Sequence, residues 1–309
     1  MLPVPELLMC KAAALTRQIR FGASVKVLHL ASPFDVAEQS AVTDHLLGGR
    51  FVFGFGSGFP SPWFARSRGL DYDERYERTA EALELILACW TRSEPFDWDG
   101  RFYRGKDVVV LPKPLQQPHP PLATATFTPE TLRLAGERGY TLLTAGFPAT
   151  IRAAADAYAA AALAAGRERP LEQVTASAFV YVADSVAQAI ADMREAVEYE
   201  LGFQRARGLL RLLAQALGDD VDPDSLRFED LVDAGWYVVG DPDTVHARLE
   251  RLYEESGGFG TLLLGVGKSW ATRAKREESL RRFVAEVAPR LAPLVPDRAV
   301  DEAAASIPG

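Results

Sequence analysis

The sequence predicts an α/β protein in which a parallel sheet is covered by helices. Three observations carry that class. Short strand-like runs alternate with amphipathic helical runs at close spacing along the 309 residues. Strand runs such as FVFGFG at 51–56 and LATAT at 122–126 are apolar or small throughout, the profile of strands covered on both faces. No linker and no second apolar cluster divide the chain. One domain is therefore expected over 1–290, with a helical insert near 187–232 and a flexible tail over 291–309.

The elements follow in order. A first helix is expected over 3–16, with Leu7, Leu8, Ala12 and Leu15 on one face. Residues 20–28, RFGASVKVL, read as a strand. A helix over 35–47 closes at Gly48 and Gly49. The strand at 51–56 runs into the loop SGFPSPW. A long helix over 73–90 turns Tyr76, Ala80, Leu83, Ile86 and Leu87 inward. Residues 96–103 and 108–110 form a small hairpin with Asp99–Gly100 at its turn. After the strand and helix of 120–139 come a strand at 140–144, an alanine-rich helix over 149–165 and the β-rich run Val174–Val182. Residues 187–217 are mostly helical, and 209–217 are unusually apolar. An acidic loop over 219–224 and an extended segment at 236–240 lead to a helix started by Asp241 or Asp243, with Val245, Leu249 and Leu252 inward. A strand at 260–265 and a helix over 273–291 complete the chain. Six strands stand out, at Arg20, Phe51, Leu122, Tyr140, Val174 and Gly260. Closing a (β/α)8 barrel takes eight, so the residues alone leave both an open doubly wound sheet and a barrel available.

Composition excludes several function classes. The net charge is −8 and the pI about 5.2, which gives no basic surface for a nucleic-acid backbone. Cys10 and Cys89 stand alone, in no CxxC or Cys/His cluster, so neither a disulfide framework nor a zinc site is expected. No apolar run reaches membrane-spanning length, and a cytoplasmic location is expected. GFGSGF at 54–59 does not have the spacing of a dinucleotide fingerprint. The carboxylates Asp71, Asp73, Glu74, Asp219 and Asp220 read as helix-start and loop charges.

The stretch PPLATATFTPETLRLAGERG at 120–139 organises the rest. Thr128 stands at an N-cap position, Pro129 at the first helical residue and Glu130 in the first turn, while Gly139 ends the helix. Thr128 and Thr131 lie three residues apart, so both hydroxyls face the open helix N-terminus. Two readings are available: a phosphate cradle, or a plain helix cap.

Four motifs in this order, IRFGASVKVLHLASPFDVAEQ, TDHLLGGRFVFGFGSGF, DGRFYRG with LPKPLQQPHPP, and TPETLRLAGERG, resemble the bacterial luciferase-like monooxygenase family. Its superfamily includes the deazaflavin (F420)-dependent oxidoreductases. The likeness covers about 3–144 and runs more weakly through VVGDPDTV to the last helix. It implies a (β/α)8 TIM-type barrel with a flavin at the carboxyl ends of the strands. It implies that Thr128 and Thr131 hold the flavin phosphate, and that Ser24–Val25 is a non-proline cis peptide in a bulge behind the ring. Gly56 and Ser57 match a loop at the same face; Ser57 replaces a basic residue that grips the phosphate in the luciferase branch. Thr126 and Phe127 adjoin the cradle, Phe127 as a ring contact or a core residue. Phe53, Phe55, Phe59 and Trp63 are candidates to line the cavity.

The resemblance also implies a strand, helix and second strand ahead of PVPELL, the second strand ending in a histidine-bearing motif. The chain is expected to be a barrel incomplete at the N-terminus, through an upstream start, an internal cover such as 209–217, or a partner subunit. No histidine matches that motif. His29 is a candidate for the cleft; His45 is expected to bond the last carbonyls of its helix, His119 to be structural and His246 to be solvated.

The implied activity is oxygen transfer to a small organic substrate by reduced FMN, delivered by a separate flavin reductase, in a homodimer. F420-dependent hydride transfer and a non-catalytic flavin-binding partner subunit are the alternatives. No catalytic acid or base and no metal ligand is assigned.

Overall fold

The computed structural model describes residues 4–58, 62–218 and 220–296, apart from the Leu212 side chain. It forms two compact units, Met1–Thr126 and Phe127–Gly309. Phe59, Asp219 and the tail from 297 onward lie outside the described residues.

The first unit begins with α1 (Pro5–Ala13), where proline opens the first turn. The expected single strand at 20–28 is instead two short strands, β1 (Phe21–Gly22) and β2 (Lys26–Val27), followed by a 3-10 turn at Leu28–Leu30. Helix α2 (Pro33–Leu46) is capped by Ser32, whose Oγ accepts from the Asp35 N–H, and ends at Gly48 and Gly49 with positive φ. Then come β3 (Phe51–Gly56), α3 (Pro62–Arg66), α4 (Arg75–Thr91), the hairpin strands β4 (Phe96–Asp99) and β5 (Arg104–Val108), and β6 (Leu122–Ala125). Strands β1, β2 and β6 all pair with β3, and all in parallel.

Alternation along β3 puts Phe51, Phe53 and Phe55 on one face. Phe53 stacks on Phe55 and meets Trp90 of α4 edge-on at 5.0 Å, and the Trp90 indole N–H donates to the Ala37 carbonyl of α2 at 2.9 Å. This face therefore belongs to the helix layer. Helix α4 turns Ala82, Leu83, Leu85, Ile86, Cys89 and Trp90 inward, Leu83 and Ile86 as expected, whereas Tyr76 and Ala80 in its first two turns are exposed. The hairpin closes through residues 100–103, with the Gly100 N–H donating to the Tyr103 carbonyl. Glu81 of α4 fixes that loop by accepting from the Phe102 and Tyr103 amides and the Trp98 indole.

The second unit opens with α5 (Pro129–Arg138), ended by Gly139 at φ 68. Strands β7 (Thr141–Ala145), β8 (Val174–Val182), β9 (Tyr237–Gly240) and β10 (Thr261–Gly265) are parallel, and the other three all pair with the long β8. The six expected strand regions are thus present. Two further strands come from the split at 20–28 and from 237–240.

Helix α6 (Pro148–Ala164) packs on α5 so closely that a Cβ on Gly136 would fall 2.3 Å from the Tyr158 carbonyl oxygen. The helical region contains α7 (Val186–Arg205), α8 (Leu210–Leu217) and α9 (Phe228–Asp233), with Gly208 at φ 66 breaking the first from the second. The apolar side of α8, Leu210 and Ala214, packs into a cluster of this unit with Met193, Val197, Phe228, Tyr237 and Trp270. Asp241 caps α10 (Pro242–Glu255), accepting from the Asp243 and Thr244 amides. The final helical stretch is α11 (Arg273–Arg282), a π turn at Phe283–Val287 and α12 (Ala288–Leu291). Ser279 of α11 accepts from the Val182 N–H at 2.8 Å, tying the stretch to the end of β8.

Candidate functional site

In the first unit the register of the short strands defines a bulge. Phe21 and Gly22 face Phe51 and Val52, whereas Lys26 and Val27 face Phe55 and Gly56. Four steps on one strand therefore span three on the other, and the extra residue lies in the segment 23–25. The Ser24–Val25 peptide within it is cis, as the resemblance implied, and Ser24 is exposed.

The even face of β3 makes room for this bulge. A Cβ on Gly54 would lie 1.8 Å from the Ala23 carbonyl oxygen, and one on Gly56 would lie 3.0 Å from Val25 Cγ2 and 3.2 Å from the Ala125 carbonyl oxygen. The glycines of FVFGFG thus fit the face on which the bulge rests, and its phenylalanines fit the helix layer. Ser57 follows directly at the end of β3, partly exposed, and Thr126 follows β6, half-buried. Ser24, Val25, Gly56, Ser57 and Thr126 accordingly belong to three adjacent parallel strands or their carboxyl ends. Phe53 and Phe55 do not line a cavity by this geometry, since they share the Trp90 face; Trp63 is half-buried beside Phe64.

His29 lies just beyond β2 and is 4% exposed. Burial lowers its pKa to about 4, and the nearby cations Arg75 and Arg78 act in the same direction. Arg75 packs face-on over the rings of Tyr72 and Tyr76 and donates to the Tyr72 carbonyl. Arg78 is held by two bonds to Glu74 and lies over Phe102.

In the second unit, Thr128 occupies the N-cap of α5 with extended backbone, yet its side chain makes no cap bond. Its hydroxyl donates to Thr131 Oγ1 at 2.8 Å. The two oxygens are therefore side by side at a helix start where no side chain caps the first-turn amides, an arrangement suited to an anion. The plain-cap reading does not describe this hydroxyl. Phe127 is exposed, so it is not a core residue.

The other histidines serve the scaffold. His45 Nε2 bonds the Lys113 carbonyl at 2.9 Å, not a carbonyl of its own helix as expected. His119 bonds the Pro120 carbonyl. The His246 side chain is mostly enclosed, with Arg290 at 3.2 Å, where a solvated ring was expected. Among the described residues no group of His, Cys, Asp and Glu side chains is suited to a metal ion, and no helix is long and apolar enough to cross a membrane.

Parallel strands that alternate with helices define an α/β class whose ligands lie beyond the carboxyl ends of the strands. The chain belongs to the luciferase-like monooxygenase family, whose model matches residues 3–259. It is 32% identical to 4-hydroxyprotoasukamycin monooxygenase of Streptomyces nodosus subsp. asukaensis, over 93% of this chain and 77% of that protein. It is 30% identical to limonene 1,2-monooxygenase of Rhodococcus erythropolis, over 92% and 72%. Among solved structures, the oxygenating constituent of 3,6-diketocamphane monooxygenase from Pseudomonas putida, a type II Baeyer–Villiger enzyme in complex with FMN, matches with a TM-score of 0.79 and 26% identity. That match covers 94% of this chain and 84% of the other.

Sequence reasoning missed the burial of His29 near Arg75 and Arg78 and the close approach of Gly54 to Ala23. Gly54 and Gly56, two residues apart on one face of the strand, were a usable signal for the latter, because paired glycines on one strand face mark a close backbone approach.

Proposed function

We propose that this protein is a flavin-dependent monooxygenase that takes reduced FMN from a separate flavin reductase and oxygenates a small, largely apolar organic substrate. When bound, reduced FMN supplies the electrons with which one atom of dioxygen enters the substrate and the other leaves as water. The observation that carries the reading is the bulge of Ala23, Ser24 and Val25 seated on Gly54 and Gly56, in a chain about 30% identical to monooxygenases along most of its length.

The residues present fit an FMN. The hydroxyl pair of Thr128 and Thr131, at a helix start without a side-chain cap, suits the phosphate, and the helix dipole adds about 0.3–2 kcal/mol before any hydrogen bond. Within the first unit, the exposed Ser24 and the Val25 side chain offer a backing for a flavin ring, with Gly56, Ser57 and Thr126 as further contacts; within the second, Phe127 stands beside the hydroxyl pair. Ser57 carries no charge and offers a hydroxyl only. The protein's contribution is to bind, orient and keep water from the reacting groups. Relatives that act on limonene and on 3,6-diketocamphane, as their names state, point to cyclic hydrocarbons and ketones as the first compounds to try.

The test is single-turnover oxygenation. The protein is loaded with photoreduced FMN, mixed with 18O2 and supplied with limonene or cyclohexanone. Product carrying one labelled oxygen supports the reading. A protein that binds FMN yet leaves both compounds and a wider panel of ketones and alkenes unlabelled contradicts it, as does tight binding of F420 with none of FMN.

A further inference from the structure

His29 is a buried polar group that the reading above leaves without a task. We propose that His29 is a ligand-contacting residue that donates a hydrogen bond from Nε2–H to a carbonyl oxygen of the small molecule bound beyond β2 and β3. The proposal rests on the monooxygenase reading and names the chemistry that one side chain contributes to it.

Position comes first. Val27 is the last residue of β2 and pairs with Gly56, and His29 stands two residues further on. It therefore lies at the carboxyl end of the strand that carries the bulge, where parallel sheets place ligand-contacting groups. Its own backbone turn is not the reason for a histidine, since Leu28 and Leu30 flank it in the same 3-10 turn.

Hydrogen bonding comes second. Nδ1 is buried with no partner. A buried imidazole normally has both nitrogens satisfied, and an orphaned N–H is the rarer and costlier defect than an orphaned lone pair. The proton therefore belongs on Nε2, with the bare lone pair at Nδ1. That tautomer leaves one donor, Nε2–H, on the nitrogen that is not sealed in, where an acceptor brought by a ligand is able to reach it.

Charge comes third. Arg75 and Arg78 lie near enough to oppose protonation, and each is fixed, the first by Tyr72 and Tyr76 and the second by Glu74. These contacts hold both cations on the side of the neutral ring. A neutral imidazole polarises a carbonyl without transferring a full proton to it. Two sources share that chemistry, a ketone substrate and a ring carbonyl of the flavin, and the experiment separates them.

The experiment uses the full-length protein with 15N-labelled histidine and oxidised FMN, and the His29 signals are assigned with His29→Gln among the four histidines of the chain. Long-range 1H–15N spectra at pH 7 are expected to show a neutral ring with its proton on Nε2. If a flavin carbonyl is the acceptor, FMN alone moves the Nε2 resonance. If a ketone is the acceptor, cyclohexanone moves it, and cyclohexene, of the same size but without an acceptor, does not. Replacement by Ala is expected to weaken the responsible ligand about threefold to tenfold, the worth of one neutral hydrogen bond, and Gln to restore part of the loss. The proposal is overturned by a ring that is charged or protonated on Nδ1, or by an Nε2 signal indifferent to both ligands. Unlabelled product in the oxygenation test with an intact Nε2 response to FMN would instead count against the monooxygenase reading alone.

Discussion

A Cβ placed on Gly54 would lie 1.8 Å from the carbonyl oxygen of Ala23. No flexible side chain is involved, because the contact is to the main chain of the bulge between β1 and β2. Gly54→Ala is therefore expected to force the bulge off β3, costing about 2–3 kcal/mol of stability and weakening FMN binding. Gly56→Ala meets the Val25 side chain at 3.0 Å and the Ala125 carbonyl oxygen at 3.2 Å, a milder conflict than at Gly54, and is expected to cost about 1 kcal/mol. Urea unfolding and flavin titration of the two variants check the order.

His29 makes stability depend on pH in a defined window. Its pKa falls from the ordinary 6.5 to about 4 on folding, so the unfolded chain binds the proton first as pH drops. The contribution is fully present above pH 6.5 and is lost as pH falls through about 4, with a ceiling of about 3 kcal/mol. Comparing the pH dependence of unfolding for the parent and His29→Gln isolates it, and the parent is expected to show the steeper decline between pH 6.5 and 4.

Asp44, on α2, is fully buried and holds the segment that leads to β6. Its two carboxylate oxygens accept from the Gln116 backbone N–H at 2.8 Å and side-chain amide at 2.7 Å. Asp44→Ala leaves the backbone donor unpaired in the interior and is expected to cost about 1–3 kcal/mol. Asp44→Asn retains one acceptor and is expected to cost less. Midpoints of thermal unfolding rank the three proteins.

Much of the scaffold was legible in the sequence, for local reasons. Gly139, Gly48 and Gly49 end helices because their left-handed backbone is costly for other residues, and that preference is written in single letters. Val174–Val182 was bounded correctly because β-branched and aromatic residues, Val174 and Thr175 at one end and Phe179 to Val182 at the other, bracket the run. Residues 20–28 were misread as one strand because a bulge is decided by what lies opposite, and Gly54 supplies that from another strand. Leu83 and Ile86 of α4 were read as inward correctly, but Tyr76, which looks apolar, packs its ring against Arg75 in the open. The threonine spacing pointed to the α5 start, yet only coordinates show that Thr128 turns to Thr131 and not to the helix backbone.

The account stands on a phosphate-bearing flavin gripped at the start of α5, and equilibrium titration with FMN and with riboflavin measures that grip directly. The parent protein is expected to bind FMN more tightly than riboflavin. The Thr128→Ala, Thr131→Ala double variant is expected to lose about tenfold to a hundredfold in FMN affinity while leaving riboflavin affinity unchanged. Equal affinities for the two flavins in the parent, or an unaltered FMN affinity in the double variant, would contradict it.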